Sequence, residues 1–138
     1  MLIAALASVV IASCYDGDTC TTTTGERVRL ACIDTPELVG KRAEPVLAKA
    51  ARDHLKGLVV GENVGIRRIT EDRYGRTVAE LFVGTTNVQQ AMIASGHAQI
   101  FWRHAHQCPW SAKNASHACH PGAAERNTLR STFFGSAS

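Results

Sequence analysis

The chain has 138 residues, of which 45% are apolar, and it carries a formal net charge of +3 at neutral pH. This length and apolar content fit one domain with its own core, and no internal repeat or low-complexity tract indicates a second. The positive excess is far too small for a protein that binds a polyanion over its whole surface, so any nucleic-acid contact is expected to be local.

The N-terminal segment is apolar but is not expected to anchor the chain in a membrane. Residues 1–13 lack a basic n-region and are too short to span a bilayer as a helix. Residues 5–7 match a small-x-small signal-peptidase site, so residues 1–7 are expected to be a signal-peptide remnant or a disordered N-terminus of a secreted or periplasmic protein. The alternative, a lipoprotein cleavage box at residues 11–14, would remove the strand that leads into Asp16.

The predicted elements follow in one domain over residues 8–134, with a frayed tail at 135–138. Alternating apolar runs that end at turn residues predict five strands, at residues 8–15, 20–23, 27–33, 63–70 and 77–83. In the third strand Val28 and Leu30 alternate with Arg29, so Arg29 is expected to point away from the core.

Two helices are predicted between and after these strands, and a third near the C-terminus. The first is expected to begin at Pro45 and to end before Gly57, with a buried stripe of Leu47, Ala50, Ala51, His54, Leu55 and Leu58. The second follows Asn87, which forms a capping box with Gln90, and stops near Gly96. A short helix is predicted over residues 121–129. This order favours an α+β fold, mainly a five-stranded OB-type barrel with about three helices.

Three polar segments stand where a strand meets a turn. They read DGDT at residues 16–19, RLACIDTPE at 29–37 and DRYGR at 72–76. Charged groups this close to a buried strand cost desolvation energy unless something pairs with them. A cation and a phosphate would do so.

These segments resemble the motifs of the staphylococcal nuclease (thermonuclease) family, which are a DGDT turn, an R-x4-DTPE strand end and a D-x-YGR turn. A single DGDT would be weak, since turns favour Asp and Gly, but all three occur here in order. The resemblance covers residues 8 to 102. It implies an OB-type barrel and a Ca²⁺-dependent nuclease that hydrolyses DNA and RNA, prefers single strands, has little sequence specificity and leaves 3'-phosphate ends.

The acidic residues are the expected metal site. Asp18 and Asp34 are hard oxygen donors that suit Ca²⁺ or Mg²⁺, and the ligand type alone does not choose between these cations. The resemblance implies Ca²⁺, held by both side chains and the backbone carbonyl of Thr35. It also implies that Asp16 orients a bound water from outside the coordination shell.

The basic residues are expected to bind the substrate phosphate. Arg29 and Arg76 suit this role, because a guanidinium donates two parallel hydrogen bonds to phosphate and stays charged. The resemblance implies that Glu37 activates or orients the attacking water. Each residue has a structural alternative: the Asp side chains cap turns, as Asp72 is expected to do, and the Arg side chains form surface ion pairs.

Base contacts are expected from three flat rings. Tyr74 lies inside the third motif, while Trp102 and His104 stand where the resembling family carries two tyrosines. Rings that stack on any base suit an enzyme without sequence preference. Trp102 as a rim aromatic and His104 as an idle exposed ring remain alternatives.

The five cysteines divide into two groups. Cys14, Cys20 and Cys32 lie in predicted strands, where a free cysteine behaves as a small buried hydrophobe. Cys108 and Cys119 bracket a loop and, in an exported protein, are expected to form a disulfide. Free thiols are one alternative. A zinc site is another, although the spacing matches no standard finger, with ligands drawn from His104, His106, Cys108, His117, Cys119 and His120.

Two further classes of function stay open beside the nuclease. One is a catalytically silent OB-type module that binds nucleic acid, and the other is a zinc-stabilised interaction domain. An inactive member of the family would be expected to lack some of the site residues, and this chain retains them all: Asp18, Arg29, Asp34, Glu37 and Arg76. No protein partner is predicted, and a monomer is expected.

Overall fold

The strands form a barrel that is closed by a parallel pair. The structure is a computed structural model that describes residues 6–112. Its elements are β1 (Ala7–Cys14), β2 (Thr19–Thr22), β3 (Arg27–Leu30), β4 (Ile33–Asp34), α1 (Pro45–Val59), β5 (Asn63–Glu71), β6 (Thr77–Val83), β7 (Thr86–Asn87), α2 (Val88–Ala94), β8 (Gln99–Ile100) and a 3₁₀ helix (Trp102–Gln107). Strands β3, β2, β1, β5 and β6 pair antiparallel in that order, and β3 then pairs parallel with β6. The predicted α+β fold with a five-stranded barrel is confirmed.

The barrel core follows from the alternation of apolar residues. Val28 and Leu30 of β3 are fully buried, as are Val64 of β5 and Leu81 of β6. Arg29, between the two buried residues of β3, is only partly buried, as the alternation predicts. Burying each such aliphatic side chain stabilises the fold by about 1.5–3 kcal/mol.

Helix α1 is longer than predicted, and its buried stripe agrees with the predicted one only in part. It begins at Pro45 but continues through Gly57 to Val59. A helical glycine costs about 1 kcal/mol, and burial of Val59 offsets that cost. The buried stripe is Ala48, Ala51, Leu55 and Val59. The predicted stripe is therefore confirmed at Ala51 and Leu55 and wrong at Ala50, which is exposed, and at Leu47, which is half-buried.

The predicted strand over residues 27–33 is interrupted. The chain turns at Ala31 and Cys32, and Cys32 takes a left-handed backbone conformation with φ 70°. The buried side chain of Gln89 stabilises this turn, because its amide donates to the carbonyl oxygens of Ala31 (3.3 Å) and Ala79 (2.9 Å). Asp34 therefore lies in β4, outside the barrel, opposite Gln99 of β8.

In the C-terminal part of the described chain, the structure agrees with the prediction at α2 and differs from it after that helix. Asn87 caps α2 as predicted, since its side chain accepts a hydrogen bond from the Gln90 amide (2.9 Å). The 3₁₀ helix was not predicted. It is attached to β5, where Arg67 donates to the carbonyl oxygen of Gln107 (2.9 Å). The helix predicted at residues 121–129 and the tail at 135–138 lie outside the described residues. No helix within residues 6–112 is both long and apolar enough to cross a membrane.

The cysteine pairing differs from the prediction. Cys14 is bonded to Cys20, its direct partner across β1 and β2, and Cys32 is bonded to Cys108. The prediction of a Cys108–Cys119 disulfide is therefore wrong, because Cys108 is bonded to Cys32, and the Cα atoms of these two residues are 6.3 Å apart. The same bond removes the Cys108 thiolate from the alternative zinc site. Cys119 lies beyond residue 112.

Candidate nuclease site

The loop between β1 and β2 carries two of the expected acidic residues in a tight turn. The Asp16 side chain accepts a hydrogen bond from the backbone amide of Asp18 (3.0 Å), and the Tyr15 amide donates to the Thr19 carbonyl (2.8 Å). Gly17 between them is buried, and a Cβ there would lie 2.7 Å from the Cβ of Ala51 on α1. Only glycine lets the loop approach the helix this closely.

Asp18 is the most buried carboxylate of the site, with 7% of the residue exposed. Its two oxygens accept hydrogen bonds from the hydroxyls of Thr19 and Thr35, both at 3.1 Å. The Arg29 guanidinium lies 3.4 Å from Oδ2. A buried carboxylate requires such partners. The contact with Thr35 also joins the first motif to the second.

Asp16, Asp18 and Asp34 are called here the acidic cluster, and the charge of Asp18 repels each of the other two carboxylates. Burial and then the Asp18 charge raise the pKa of Asp16 to about 7. Burial and then the Asp18 charge also raise the pKa of Asp34, while Arg29 opposes this rise. Carboxylates whose ionised forms destabilise each other in this way fit a hard cation with oxygen ligands. Between residues 6 and 112, no three His, Cys, Asp or Glu side chains come together as a metal site on their own. The expected Ca²⁺ ligands are only two carboxylates, from Asp18 and Asp34, together with the backbone carbonyl of Thr35.

The two expected phosphate-binding arginines contact residues of the first motif, Arg29 from β3 and Arg76 from the position before β6. Arg29 also donates to the Leu30 carbonyl oxygen (2.6 Å), which fixes the side chain along β3. Arg76 follows the turn between β5 and β6, and its guanidinium lies 3.4 Å from the Thr19 hydroxyl. The third motif therefore meets the first at Thr19.

Asp72 holds the turn that presents Arg76. Its carboxylate accepts hydrogen bonds from the amides of Tyr74 and Arg76, both at 2.9 Å, and from the Arg76 Nε at 2.7 Å. Partial burial raises the pKa of Asp72, but these hydrogen bonds outweigh it and hold the pKa below its usual value. The expectation that Asp72 stabilises this turn is confirmed.

Glu37 is exposed at the edge of the cluster. Its charge contributes to the raised pKa of Asp34, and its backbone carbonyl oxygen accepts a hydrogen bond from the Glu44 amide (2.9 Å).

Glu44 itself precedes α1, and both of its carboxylate oxygens are buried without a hydrogen-bond partner in the described part of the chain. The helix N-terminus favours a negative charge there. Glu44 was not predicted as a site residue, because no sequence motif marks it.

The structure brings one of the three expected stacking rings to the site. Tyr74 is 58% exposed, and its ring centroid lies 5.5 Å from the guanidinium carbon of Arg76. Trp102 and His104 are exposed on the 3₁₀ helix, beyond β8. Because β8 runs antiparallel to β4, the chain after Gln99 leads away from Asp34. Within residues 6–112 no hydrogen bond or ring contact joins Trp102 or His104 to the acidic cluster.

Comparisons with known proteins agree with this arrangement. A family model described as staphylococcal nuclease homologue matches residues 27–119. A staphylococcal-like nuclease CAN1 of Arabidopsis thaliana is 36% identical over 72 residues, which are 52% of this chain and 21% of that protein. An uncharacterized endonuclease of Haemophilus influenzae is 33% identical over 95 residues, which are 66% of this chain and 51% of that protein. An uncharacterized endonuclease of Escherichia coli is 33% identical over 76 residues, or 54% and 46% of the two chains.

The matched segment spans about half of the bacterial relatives and about a fifth of the plant protein. The family match includes the segments that carry Arg29, Asp34, Glu37 and Arg76, and it begins after the Asp16 loop. It covers well over half of the chain, and family membership supports a nuclease function with nucleic-acid substrates. The chain belongs to the staphylococcal nuclease family.

Proposed function

We propose that the chain is a Ca²⁺-dependent nuclease that hydrolyses phosphodiester bonds in DNA and RNA. In this proposal it prefers single strands, has little sequence specificity and leaves 3'-phosphate ends. The observation that carries the proposal is the contact between Arg29 and Asp18, 3.4 Å apart beside the rest of the acidic cluster. Cationic donors and carboxylates side by side are what a metal-assisted reaction at a phosphate requires.

The acidic cluster would hold the cation. Asp18 and Asp34 supply carboxylate oxygens, Thr35 supplies its backbone carbonyl, and Asp16 orients a water from outside the shell. Bound Ca²⁺ would supply positive charge against the phosphate oxygens. Burial and then the Asp18 charge raise the pKa of Asp16 and Asp34, and this supports the role, because a bound cation would stabilise the ionised forms of both carboxylates.

The two arginines would bind the phosphate. Arg29 is fixed by its bonds to Leu30 and Asp18, and Arg76 by its bond to Asp72, so neither side chain must be ordered when substrate binds. Guanidinium groups positioned in advance stabilise the charge that develops on the phosphate oxygens. Tyr74 beside Arg76 would stack on a neighbouring base, as would Trp102 and His104 further from the cluster.

Glu37 would act on the attacking water. Its carboxylate is exposed, close enough to Asp34 to affect the pKa of that residue, and no partner within residues 6–112 binds its side-chain oxygens. A carboxylate that is not engaged in the fold is free to accept a proton or to orient water.

Export to an oxidising compartment, secreted or periplasmic, belongs to the same proposal. Two disulfides in so short a chain support it, because the cytosol keeps thiols reduced.

The test is degradation of heat-denatured DNA and of RNA with Ca²⁺, with Mg²⁺ and with a chelator. We expect cleavage by the wild-type chain only with Ca²⁺, and loss of most activity in Glu37→Gln and Arg76→Ala. Glu62→Gln and Arg52→Ala are matched controls, because Glu62 is exposed after α1 and Arg52 pairs, among residues 6–112, only with Asp53. Both should keep wild-type activity. Binding without cleavage under every condition would favour the silent nucleic-acid-binding module instead.

A further inference from the structure

Both disulfides end beside the acidic cluster. Cys14 stands two residues before Asp16, and Cys20 stands two residues after Asp18. Cys32 stands two residues before Asp34. Each of the three carboxylates is therefore two residues from a covalent crosslink. Disulfides that only stabilise the fold would not need to lie this close to the three carboxylates.

The first disulfide closes the loop that carries Asp16 and Asp18. Cys14 and Cys20 are direct cross-strand partners, and the bond fixes the two ends of the turn between β1 and β2. Hydrogen bonds also hold this turn, including the one from the Leu30 amide to the Asp18 carbonyl oxygen (2.7 Å). The disulfide adds a covalent constraint to these hydrogen bonds at both ends of the turn.

The second disulfide fixes the turn that delivers Asp34. Cys32 adopts a left-handed conformation that few residues other than glycine take without cost. Its carbonyl oxygen accepts from the Phe101 amide (2.8 Å), and its sulfur is bonded to Cys108 after the 3₁₀ helix. The bond thus holds the start of β4 against the segment that follows β8.

We propose that the Cys14–Cys20 and Cys32–Cys108 disulfides are positioning elements that hold the acidic cluster ready to bind its cation. The inference rests on the proposed function, since it concerns the same cation. Holding the carboxylates in place before the cation binds raises the affinity for the cation, because no conformational entropy is then lost in ordering them on binding. All four cysteines are buried, so the bonds are shielded from solvent thiols in the folded protein.

The test measures Ca²⁺ binding by calorimetry, independently of cleavage, for the wild-type chain and for C14A/C20A. We expect the Kd for Ca²⁺ to rise by about tenfold in the variant, with its circular dichroism spectrum unchanged. The Ca²⁺ concentration for half-maximal cleavage should rise in parallel, while kcat at saturating Ca²⁺ stays near the wild-type value. C32A/C108A should show the same direction of change through Asp34.

The matched control is Ile66→Val, which removes a buried methylene from β5 and costs about 0.5–1.5 kcal/mol of stability. It should leave the Kd for Ca²⁺ unchanged, which separates positioning from stability. Equal Ca²⁺ affinity in wild type and C14A/C20A, or a C14A/C20A chain that is unfolded, would overturn the positioning role. A wild-type chain that neither binds Ca²⁺ nor cleaves nucleic acid would instead overturn the proposed function itself.

Discussion

Arg29 contacts Asp18 through one guanidinium nitrogen, 3.4 Å from Oδ2, while the other terminal nitrogen donates to the Leu30 carbonyl at 2.6 Å. One side chain therefore neutralises a buried carboxylate of the expected cation site and presents the donors expected to bind phosphate. Arg29 can serve both groups because β3 turns its partly buried side chain away from the core, between the buried Val28 and Leu30.

Arg29→Lys should separate charge from geometry. Lysine keeps the positive charge beside Asp18 but lacks the planar pair of donors that a guanidinium offers to phosphate. We expect kcat on heat-denatured DNA to fall by about 10²-fold, with the Kd for Ca²⁺ much less affected. Steady-state kinetics and calorimetry measure the two effects.

The matched control for this change is Arg52→Lys. Arg52 lies on α1 and pairs with the exposed Asp53, so lysine should support the wild-type rate. A wild-type kcat in Arg29→Lys as well would show that charge alone is required at this position.

Two glycine-to-alanine changes should have opposite effects on stability. At Gly17 the new Cβ would lie 2.7 Å from Ala51 and 3.0 Å from Thr35, so the Asp16 loop or α1 must move. Overpacking of this kind costs about 1–3 kcal/mol. Gly57 lies within α1 with nothing within 4 Å of a new Cβ. There alanine should stabilise by about 1 kcal/mol, because it favours the helix.

Urea denaturation measures both changes, and calorimetry should show weaker Ca²⁺ binding for Gly17→Ala alone. If Gly17→Ala were as stable as the wild-type chain, the close approach of the loop to α1 would be contradicted.

The barrel and the polar segments of the site follow from local patterns in the sequence. The alternation of Val28 and Leu30 with Arg29 predicts both the buried row and the arginine that faces away from it. The Asn87 cap and the Asp72 turn are equally local, since each side chain binds backbone within four residues. Such features can be predicted from the sequence because the interacting residues are close together in the chain.

The features that the sequence did not predict depend on distant parts of the chain. Cys32 and Cys108 are 76 residues apart, and nothing in their spacing distinguishes this pairing from one between Cys108 and Cys119. The turn at Cys32 depends on Gln89, whose amide reaches the carbonyl oxygen of Ala31 from α2. The position of Trp102 depends on the direction in which β8 pairs with β4.

Asp72→Asn should lose stability in a pH-dependent way. The usual pKa of an aspartate is 3.8, and in the folded chain the pKa of Asp72 is lower than this. The ionised form of Asp72 therefore stabilises the fold. That contribution is present above the unfolded pKa and is lost as the pH falls through the lower, folded pKa. The free energy of unfolding should therefore differ between wild type and variant at about pH 6, and this difference should shrink below about pH 3.8.

Denaturant titrations of both proteins across this range measure the difference. A loss of the same size at both ends of the range would contradict an ionised Asp72 as its source. Because Asp72 also fixes the Arg76 guanidinium, kcat should fall in the variant by about tenfold, as for other residues that orient a reacting group.

Arg67→Met should destabilise the fold through Glu80. The Glu80 carboxylate is buried in β6 and accepts hydrogen bonds from Arg67 (2.6 Å), Asn87 (3.2 Å) and the Trp110 indole. Removing Arg67 leaves a buried charge with neutral partners. A fully buried pair would cost about 3–5 kcal/mol, and because Arg67 is 39% exposed we expect about 2 kcal/mol.

The matched control is Arg68→Met in the neighbouring position of β5. Arg68 forms a bidentate pair with Glu26, but its side chain is 45% exposed and water can replace the partner, so the loss should stay below about 1 kcal/mol. Adding Glu80→Gln to Arg67→Met should recover part of the lost stability, because it removes the uncompensated charge. Equal losses for Arg67→Met and Arg68→Met in urea denaturation, with no recovery in the double variant, would contradict burial of Glu80 as the cause.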